Sequence, residues 1–340
     1  MKALLKICSF CLIFFCVGML AFAGGQADKA GGPAAKKEIK LSHSHQADPV
    51  ASEIHYAALA FQKYVAENSK TLEVKIFAAN ALGEERAVYE AIQLGGGASC
   101  VISGTAILNN FAPRTKILDL AFLWKSYEHA HKVLDGEVGA ALAKDLDGKG
   151  FKTLAWMDSW GFRNVVTAKK EVKTPADLKG LKIRTIQTPT YVAALNAMGA
   201  NATPMAFGEV YTSLQTGVLD GFEHGSSTIK AQKFYEVAKY IAVTNHLFGP
   251  LVMVYSAKEW AKLSPDEQAV VAKGAALARD EQRKLSKVKE DEGFAFLKEK
   301  GMKVNPIDTS DFIKNSAEQQ DKFAAEVQAA DLLKIIRATN

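Results

Sequence analysis

The sequence predicts an α/β protein of two lobes with mainly parallel sheets. Segments that alternate apolar and polar residues, as strands do, are separated by segments with apolar residues at the three- and four-residue spacing of helices. This alternation of strands and helices is typical of parallel sheets covered by helices. The chain has 340 residues, more than one hydrophobic core usually supports, so two lobes are expected.

A repeated pattern is consistent with this prediction. Residues 89–100 and 211–223 each read as a helix that ends at Leu/Ile-Gln-x-Gly and is followed by a strand. A structural unit used twice would produce this pattern. So would an ordinary α/β domain, in which helix, glycine and strand often follow one another, and the two alternatives stay open here.

The elements follow in order from these periodicities. The predicted strands are residues 38–42, 72–77, 98–102, 152–157, 181–184, 241–243, 251–255 and 302–304. The predicted helices are residues 50–68, 84–94, 128–144, 175–179, 264–300 and a terminal helix from residue 310. The helix that opens at Ser264 is long enough to pack across both lobes.

The first 23 residues are predicted to be a secretory signal peptide. Lys2 and Lys6 precede an apolar run, and Ala21-Phe-Ala before Gly24 is a cleavage signal, so the mature protein is expected in the periplasm. Lipid anchoring at Cys16 is the alternative, but the sequence before Cys16 lacks the usual small residue. Residues 24–37, rich in Gly, Ala and Lys, are predicted to be a flexible tether.

Composition argues against several classes of function. The net charge of +5 comes from interspersed acids and bases, which does not suggest nucleic acid as a partner. Three of the four cysteines lie in the leader, and Cys100, in an apolar run, is expected to be a buried small residue. No spacing typical of a metal site, a cofactor loop or a catalytic triad is evident, so no metal, cofactor or catalytic residue is predicted.

The sequence of residues 174–184 predicts that an arginine side chain lies at the end of a strand. Thr174-Pro and Asp177 form the start of a short helix, and Gly180 ends it. Leu181 and Ile183 then alternate with lysine and Arg184, as in a half-buried strand. An arginine at a strand end can bind a carboxylate through two parallel hydrogen bonds, although a solvated surface arginine would show the same local pattern.

Several phrases together resemble the solute-binding proteins of tripartite ATP-independent periplasmic (TRAP) transporters, the DctP family. Each phrase is weak alone, and their order and spacing over nearly the whole mature chain are specific. They are Ala81-Leu-Gly-Glu-Glu-Arg, Trp160-Gly-Phe-Arg-Asn, Thr174-Pro-Ala-Asp-Leu-Lys-Gly-Leu-Lys-Ile-Arg, Phe207-Gly-Glu-Val-Tyr, Val218-Leu-Asp-Gly-Phe-Glu and Leu263-Ser-Pro-Asp-Glu-Gln.

The resemblance implies a two-lobed periplasmic binding protein fold with a hinge, crossed by the long helix. The lobe boundaries expected from it are residues 38–160 plus about 247–290, and residues 161–246 plus about 291–340. A protein of this kind binds a small organic acid between its lobes and delivers it to membrane permease subunits. No cofactor is implied, and a monomer is expected.

The resemblance also implies ligand-binding residues. Arg184 matches the arginine that pairs with the substrate carboxylate, Arg163 matches a second ligand arginine, and Glu84 lies where the first lobe contributes polar contacts. His224 stands where the family usually has asparagine, and is either a ligand contact or a structural histidine. Candidates from a polar loop and from the aromatic residues complete the set: His45, Trp160, Phe207 and Phe248.

The predicted function is therefore an extracytoplasmic receptor for a small carboxylate. Two alternatives stay open. A periplasmic enzyme could use His224 and Glu223 as acid and base, and a ligand-sensing domain could serve a signalling partner. The sequence does not identify the acid.

Overall fold

The structure, a computed structural model, describes residues 35–340. The predicted signal peptide, most of the predicted tether and three cysteines (Cys8, Cys11 and Cys16) lie outside the described residues. Within residues 35–340, none of the helices is both long and apolar enough to span a membrane.

The described chain contains eleven strands and thirteen α-helices. The strands are β1 Lys37–Ser42, β2 Leu72–Phe77, β3 Cys100–Gly104, β4 Phe151–Met157, β5 Arg163–Thr167, β6 Lys182–Thr185, β7 Asn201–Pro204, β8 Gly221–His224, β9 Tyr240–Leu247, β10 Leu251–Ser256 and β11 Lys303–Pro306. The helices are α1 Glu53–Asn68, α2 Glu85–Leu94, α3 Thr105–Leu108, α4 Tyr127–Leu134, α5 Glu137–Asp147, α6 Pro175–Leu178, α7 Pro189–Ala197, α8 Val210–Gln215, α9 Ser226–Ala231, α10 Ala257–Trp260, α11 Pro265–Glu299, α12 Ser310–Glu326 and α13 Ala330–Ala338.

The strands form two sheets, and these define the two lobes. The sheet of the first lobe has the order β2-β1-β3-β10-β4, and that of the second lobe has the order β11-β9-β5-β8-β6-β7. The two-lobed α/β class predicted from the sequence is therefore confirmed. The exact lobe boundaries along the chain stay a prediction.

Both sheets are mixed, although mainly parallel sheets were expected. β10 is antiparallel to β3 and β4, and β5 is antiparallel to β8 and β9. These are the two strands that follow directly after the chain crosses from one sheet to the other. Parallel neighbours in a sheet need a crossover connection, usually a helix, that brings the chain back to the same end of the sheet. No such helix precedes β5 or β10, so these strands can run antiparallel to their neighbours.

The two sheets share one arrangement. Five strands of the first sheet, β2-β1-β3-β10-β4, correspond one by one to β7-β6-β8-β5-β9 of the second. In both sheets the first two neighbouring pairs are parallel and the next two are antiparallel. The repeated sequence pattern falls on matching positions, since α2 leads to β3 and α8 leads to β8. Gly95 and Gly217, which follow these helices, both have positive φ, 81° and 76°. The pattern thus marks a repeated structural unit.

Helix α11 runs for 35 residues along both lobes, as predicted. A capping box between Ser264 and Glu267 fixes its start. Its first part packs against α1 of the first lobe and its later part against α9 of the second. The hydrophobic cores of the lobes lie between the sheets and these helices.

The last helix, α13, packs against α5, and its backbone bonds to first-lobe side chains. His129 Nε2 lies 2.9 Å from the Ile336 carbonyl oxygen, and Lys132 Nζ donates to the Asn340 carbonyl at 2.6 Å. Helix α12 contacts α7 of the second lobe. The C-terminal segment therefore connects the two lobes.

Candidate functional site

A small buried cavity lies at the carboxyl ends of parallel strands from both lobes. Its lining residues are Ser44, His45, Glu85, Trp160, Arg184, Ile186, Phe207 and His224. In open α/β sheets, ligands bind beyond the carboxyl ends of the strands, where helices begin and side chains converge. Five of the eight predicted ligand-binding residues are in this set: Arg184, His224, His45, Trp160 and Phe207.

The cavity measures only about 10 Å³, close to the space of one water molecule. The side chains therefore fill the cleft and leave too little space for an organic acid. A larger groove of about 530 Å³ lies on the surface beside α1 and α11 and contains none of the predicted site residues.

Arg184 is a buried cation without a carboxylate partner. Helix α6 begins at the predicted cap, where Thr174 and Asp177 form a capping box. Gly180 has φ of 81°, and the chain enters β6 soon afterwards. The Arg184 Nε and Nη2 atoms donate to the Met205 carbonyl at 2.9 and 2.6 Å, and its guanidinium lies 5.7 Å from the centre of the Phe207 ring. Among the residues described, no carboxylate lies within salt-bridge distance of it.

The surroundings of Arg184 make an anion favourable there. Burial, partly opposed by the charge of Glu223, lowers the pKa of Arg184 to about 10, so the guanidinium is still charged at neutral pH. A buried charge that lacks a counter-ion is costly, and a bound carboxylate would remove that cost.

Arg163 differs from Arg184 because a carboxylate of the protein, that of Glu223, already balances its charge. It is fully buried at the start of β5. Its Nη2 donates to Glu223 Oε1 at 2.8 Å and to the Glu223 carbonyl at 2.9 Å, and its Nε donates to Glu223 Oε2. His246 Nε2 is 3.6 Å from Glu223 Oε2. Burial opposes ionisation of Glu223, but the Arg163 charge prevails and lowers the pKa of that carboxyl.

That Arg163 helps to capture the ligand carboxylate stays a prediction, and two of its guanidinium nitrogens already bond to Glu223. Arg163 is not among the cavity-lining residues, and Glu223 occupies two of its three guanidinium nitrogens. The two N–H donors of its Nη1 are without a hydrogen-bond partner within the described chain.

His224 is a neutral histidine of defined tautomer. The Gly225 backbone N–H donates to its Nδ1 at 2.9 Å, so Nε2 carries the ring proton. Burial, followed by the charge of Arg163, lowers the pKa of His224 well below its usual value. Its ring lies 5.4 Å from that of Trp160 and 5.5 Å from that of Phe207. It can donate a hydrogen bond, but its charge does not change near neutral pH.

The acidic residue that lines the cavity is Glu85, the neighbour of the predicted Glu84 and part of the stretch from Glu84 to Arg86 that the resemblance singles out. Glu85 Oε1 accepts hydrogen bonds from Ser103 Oγ at 2.5 Å and Ser44 Oγ at 3.3 Å, and burial raises the pKa of this carboxyl. Glu84 instead accepts from Asn80 Nδ2 at 3.0 Å and lies against Gly208 of the second lobe. The two glutamates are adjacent in sequence. Glu84 is the N-cap of α2, and Glu85 is the first residue of the helix and the one whose side chain lines the cavity.

His45 and Trp160 form one wall of the cavity. Their rings are stacked with centres 6.2 Å apart, and His45 Nδ1 is 3.0 Å from Ser52 Oγ. Burial lowers the pKa of His45 to about 3. Nearby, His43 and His55 contact each other directly, with 3.0 Å between Nε2 and Nδ1.

Phe248 lies elsewhere, outside the lining set. Its ring packs 5.1 to 5.9 Å from three other rings, those of Phe162, Tyr127 and Trp124. It follows β9 in the second crossing between the lobes, and its ring faces the core rather than the cleft. Ser44, Ile186 and Glu85 line the cavity although none was chosen individually; Glu85 lay within the stretch already singled out by the resemblance.

A two-lobed α/β fold whose interlobe cavity holds a buried cation, with no carboxylate partner among residues 35–340, is typical of a binding protein for a small anion. The family described as "Bacterial extracellular solute-binding protein, family 7" (DctP) matches residues 43–326. The chain belongs to this family.

Similar proteins support the assignment. The chain is 39% identical over 289 residues to the 2,3-diketo-L-gulonate-binding periplasmic protein YiaO of Escherichia coli K12, covering 83% of this chain and 87% of that one. A TRAP periplasmic solute binding protein from Polaromonas sp. JS666, bound to D-erythronate, superimposes with a TM-score of 0.85 at 34% identity, covering 90% of this chain and 99% of that one. Another TRAP periplasmic solute binding protein, from Sulfitobacter sp. NAS-14.1 with bound β-D-galacturonate, superimposes with a TM-score of 0.84 at 32% identity. The match covers 88% of this chain and 99% of that one.

Proposed function

We propose that this protein is the solute receptor of a TRAP transporter and that its ligand is a hydroxylated monocarboxylic acid. The observation that carries the proposal is Arg184, a buried guanidinium that has carbonyl contacts but no carboxylate partner in the described chain. The three relatives described above are named for, or bound to, 2,3-diketo-L-gulonate, D-erythronate and β-D-galacturonate, which are acids of this kind. A further relative, 30% identical over 292 residues, is named as a C4-dicarboxylate-binding protein, so the screen below includes a dicarboxylate.

The proposed binding arrangement assigns a role to each end of the cavity. The ligand carboxylate pairs with Arg184 and receives a hydrogen bond from His224 Nε2. The Arg163 Nη1 group supplies one further donor. At the first-lobe end, the ligand's hydroxyl groups donate to Glu85, and the rings of Trp160 and Phe207 cover its carbon skeleton.

Glu85 favours a monocarboxylate over a dicarboxylate. If it is ionised, it repels a second carboxylate in the same dry cavity, whereas a hydroxyl group can donate a hydrogen bond to it. Arg184 at one end and Glu85 at the other therefore favour an acid that is charged only at one end.

Binding requires the lobes to open and close. The chain crosses between the lobes at residues 158–162 and 248–250, and α11 spans both. An open form admits the acid, and closure surrounds it with residues of both lobes. The closed surface is then recognised by the membrane permease subunits. We expect the mature receptor, released by cleavage after residue 23, to act as a monomer in the periplasm.

The alternative of a periplasmic enzyme is not favoured by the geometry at Glu223. An acid or base must reach the reacting atoms, but both carboxylate oxygens of Glu223 are held by Arg163 and the residue is fully buried. Among residues 35–340, the hydrogen bond to the His224 ring comes from the Gly225 backbone and not from an acidic side chain. No specific contact favours the second alternative, a sensing domain.

The test is a thermal-shift screen of the purified protein followed by calorimetry. D-galacturonate, D-erythronate and 2,3-diketo-L-gulonate are compared with succinate, and the recovered acid is identified by mass spectrometry. We expect at least one of the first three to stabilise the protein as its concentration exceeds its dissociation constant, and to be recovered unchanged. Chemical conversion of the acid, or stabilisation by no carboxylate at millimolar concentration, would contradict the proposal.

A further inference from the structure

Helix α11 carries a stripe of buried polar residues in its central part. Gln282, Ser286 and Glu290 are spaced four residues apart, so they lie on one face of the helix, and Gly293 continues that face. All four are buried, although α11 is otherwise rich in exposed charges. Buried polar side chains require hydrogen-bond partners, and the partners of this stripe are specific.

The stripe binds the first crossing segment, residues 158–162, which joins β4 to β5. The Gln282 amide makes two bonds to the backbone of Asp158, accepting from its N–H and donating to its carbonyl, each at 3.0 Å. Ser286 Oγ donates to the Asp158 carboxylate. Glu290 Oε1 accepts from the Phe162 N–H at 3.0 Å. Both ends of the crossing segment are therefore held by one helix face.

Glu290 also joins parts of both lobes. Its Oε2 accepts from the Tyr127 hydroxyl of α4 at 2.9 Å. Its backbone carbonyl accepts from Ser226 Oγ of α9 at 2.6 Å. Gly161, with φ of 91°, lies so close that an added Cβ would be 3.3 Å from Glu290 Oε1. One residue thus contacts the first lobe, the crossing segment and the second lobe.

The crossing segment positions two residues of the candidate site. Trp160 lies within it and lines the cavity, and Arg163 follows it directly. We propose that Glu290 is a positioning residue that holds the crossing segment in the closed arrangement and thereby sets ligand affinity without touching the ligand. The conformational part of this inference is independent of the ligand, and only the affinity part rests on the proposed function.

The test uses two variants and a matched control. Glu290→Gln removes one of the two carboxylate acceptors and the charge, and Tyr127→Phe removes a single hydroxyl group. Asp291→Asn is the control, because Asp291 is the next residue of α11 and forms an exposed pair with Lys287. Spin labels at two exposed sites, Lys63→Cys and Lys173→Cys, report the separation of the lobes, while the native Cys100 is buried.

We expect Glu290→Gln and Tyr127→Phe to enlarge the population at long interlobe distances, both in the absence of ligand and at subsaturating D-galacturonate. The dissociation constant for D-galacturonate should rise about tenfold, mainly through faster release, because a coupling of this kind is typically worth 5- to 150-fold. The control should match the wild type in both measurements.

The inference is overturned if the distance distributions and release rates of both variants match those of Asp291→Asn. A lower melting temperature alone, with both readouts unchanged, would identify Glu290 as only a structural residue and also overturn it. If Glu290→Gln does not fold, the interlobe distances and release rate of Tyr127→Phe test the inference alone. If the wild type binds no acid, the proposed function fails, but the ligand-free distances still test the role of Glu290.

Discussion

Arg163 and Arg184 are two buried arginines beside one cleft, and they differ in what balances their charge. Glu223 binds Arg163 through two side-chain bonds, whereas the hydrogen bonds of the Arg184 side chain within residues 35–340 all go to the Met205 carbonyl. A buried cation with an internal anion belongs to the scaffold. A buried cation without one is prepared for an anion from outside. The number of arginines in a cleft therefore does not reveal how many bind the ligand.

The largest expected effect concerns the paired arginine. Arg163→Ala leaves the Glu223 carboxylate buried without its partner, so we expect the free energy of unfolding to fall by about 3–5 kcal/mol. Urea denaturation measures this. In the double variant Arg163→Met with Glu223→Leu, much of the stability should return. A loss below about 1 kcal/mol for Arg163→Ala would show that the pair is not an essential part of the scaffold.

A second test asks whether a buried carboxylate without a partner is also costly to the folded state. Glu53 is almost fully buried, and neither carboxylate oxygen has a hydrogen-bond partner among the described residues. Burial raises its pKa from 4.5 to about 7, with Lys289 and Asp158 as the nearby charged groups. The folded state therefore binds more protons than the unfolded state between about pH 4.5 and 7, and stability falls as pH rises through that range.

Glu53→Gln should remove this dependence. A pKa that moves from 4.5 to about 7 corresponds to about 3 kcal/mol, so the variant should be more stable than the wild type by up to that amount at pH 8 and similar to it at pH 4.5. Denaturation at both pH values measures the difference. The control is Glu67→Gln, an exposed residue of the same helix. Equal effects of the two substitutions at pH 8 would argue against a costly charge at Glu53.

The unpaired arginine should control binding more than stability. We expect Arg184→Lys to weaken the binding of a stabilising acid about 100-fold, because an ammonium cannot reproduce two parallel hydrogen bonds to a carboxylate. The free energy of unfolding without ligand should change by less than about 1 kcal/mol, since no internal ion pair is lost. Calorimetry and urea denaturation separate the two quantities.

Arg86→Lys, on the exposed surface of α2, is the control for Arg184. Undiminished affinity in Arg184→Lys would remove Arg184 from the site. A large loss of stability in that variant would place Arg184 with Arg163 in the scaffold and abolish the contrast between them.

The smallest expected effect is at His224. His224→Ala removes one hydrogen-bond donor, so affinity should fall about five- to tenfold. Because burial keeps the pKa of His224 well below its usual value, this loss should be the same from pH 5 to pH 8. Calorimetry at three pH values checks this. A loss that grows as the pH falls would indicate a protonated histidine and an ionic role.

Local patterns predicted the elements around Arg184 well. The cap at Thr174, the glycine stop and the strand all depend on residues within a few positions, and each is present. Patterns of this range could not predict the Glu223 pair, because Arg163 and Glu223 are 60 residues apart. Nor could they choose Glu85 over Glu84, since Glu84 is the extended N-cap of α2 and Glu85 its first helical residue, and the side chain that faces the cavity depends on where the fold places that end of the helix.

The sequence by itself determined the class of the protein: the alternation of strands and helices and the phrases of a solute-binding family can both be read from it. It also placed Arg184 at a strand end. Only the tertiary structure decided which charges are balanced internally and that Phe248 faces the core. It also showed that Glu290 meets Phe162, 128 residues away in sequence, at the hinge. The physical reason is that secondary structure is set by near neighbours, whereas the cost of a buried charge depends on whatever partner the fold brings to it.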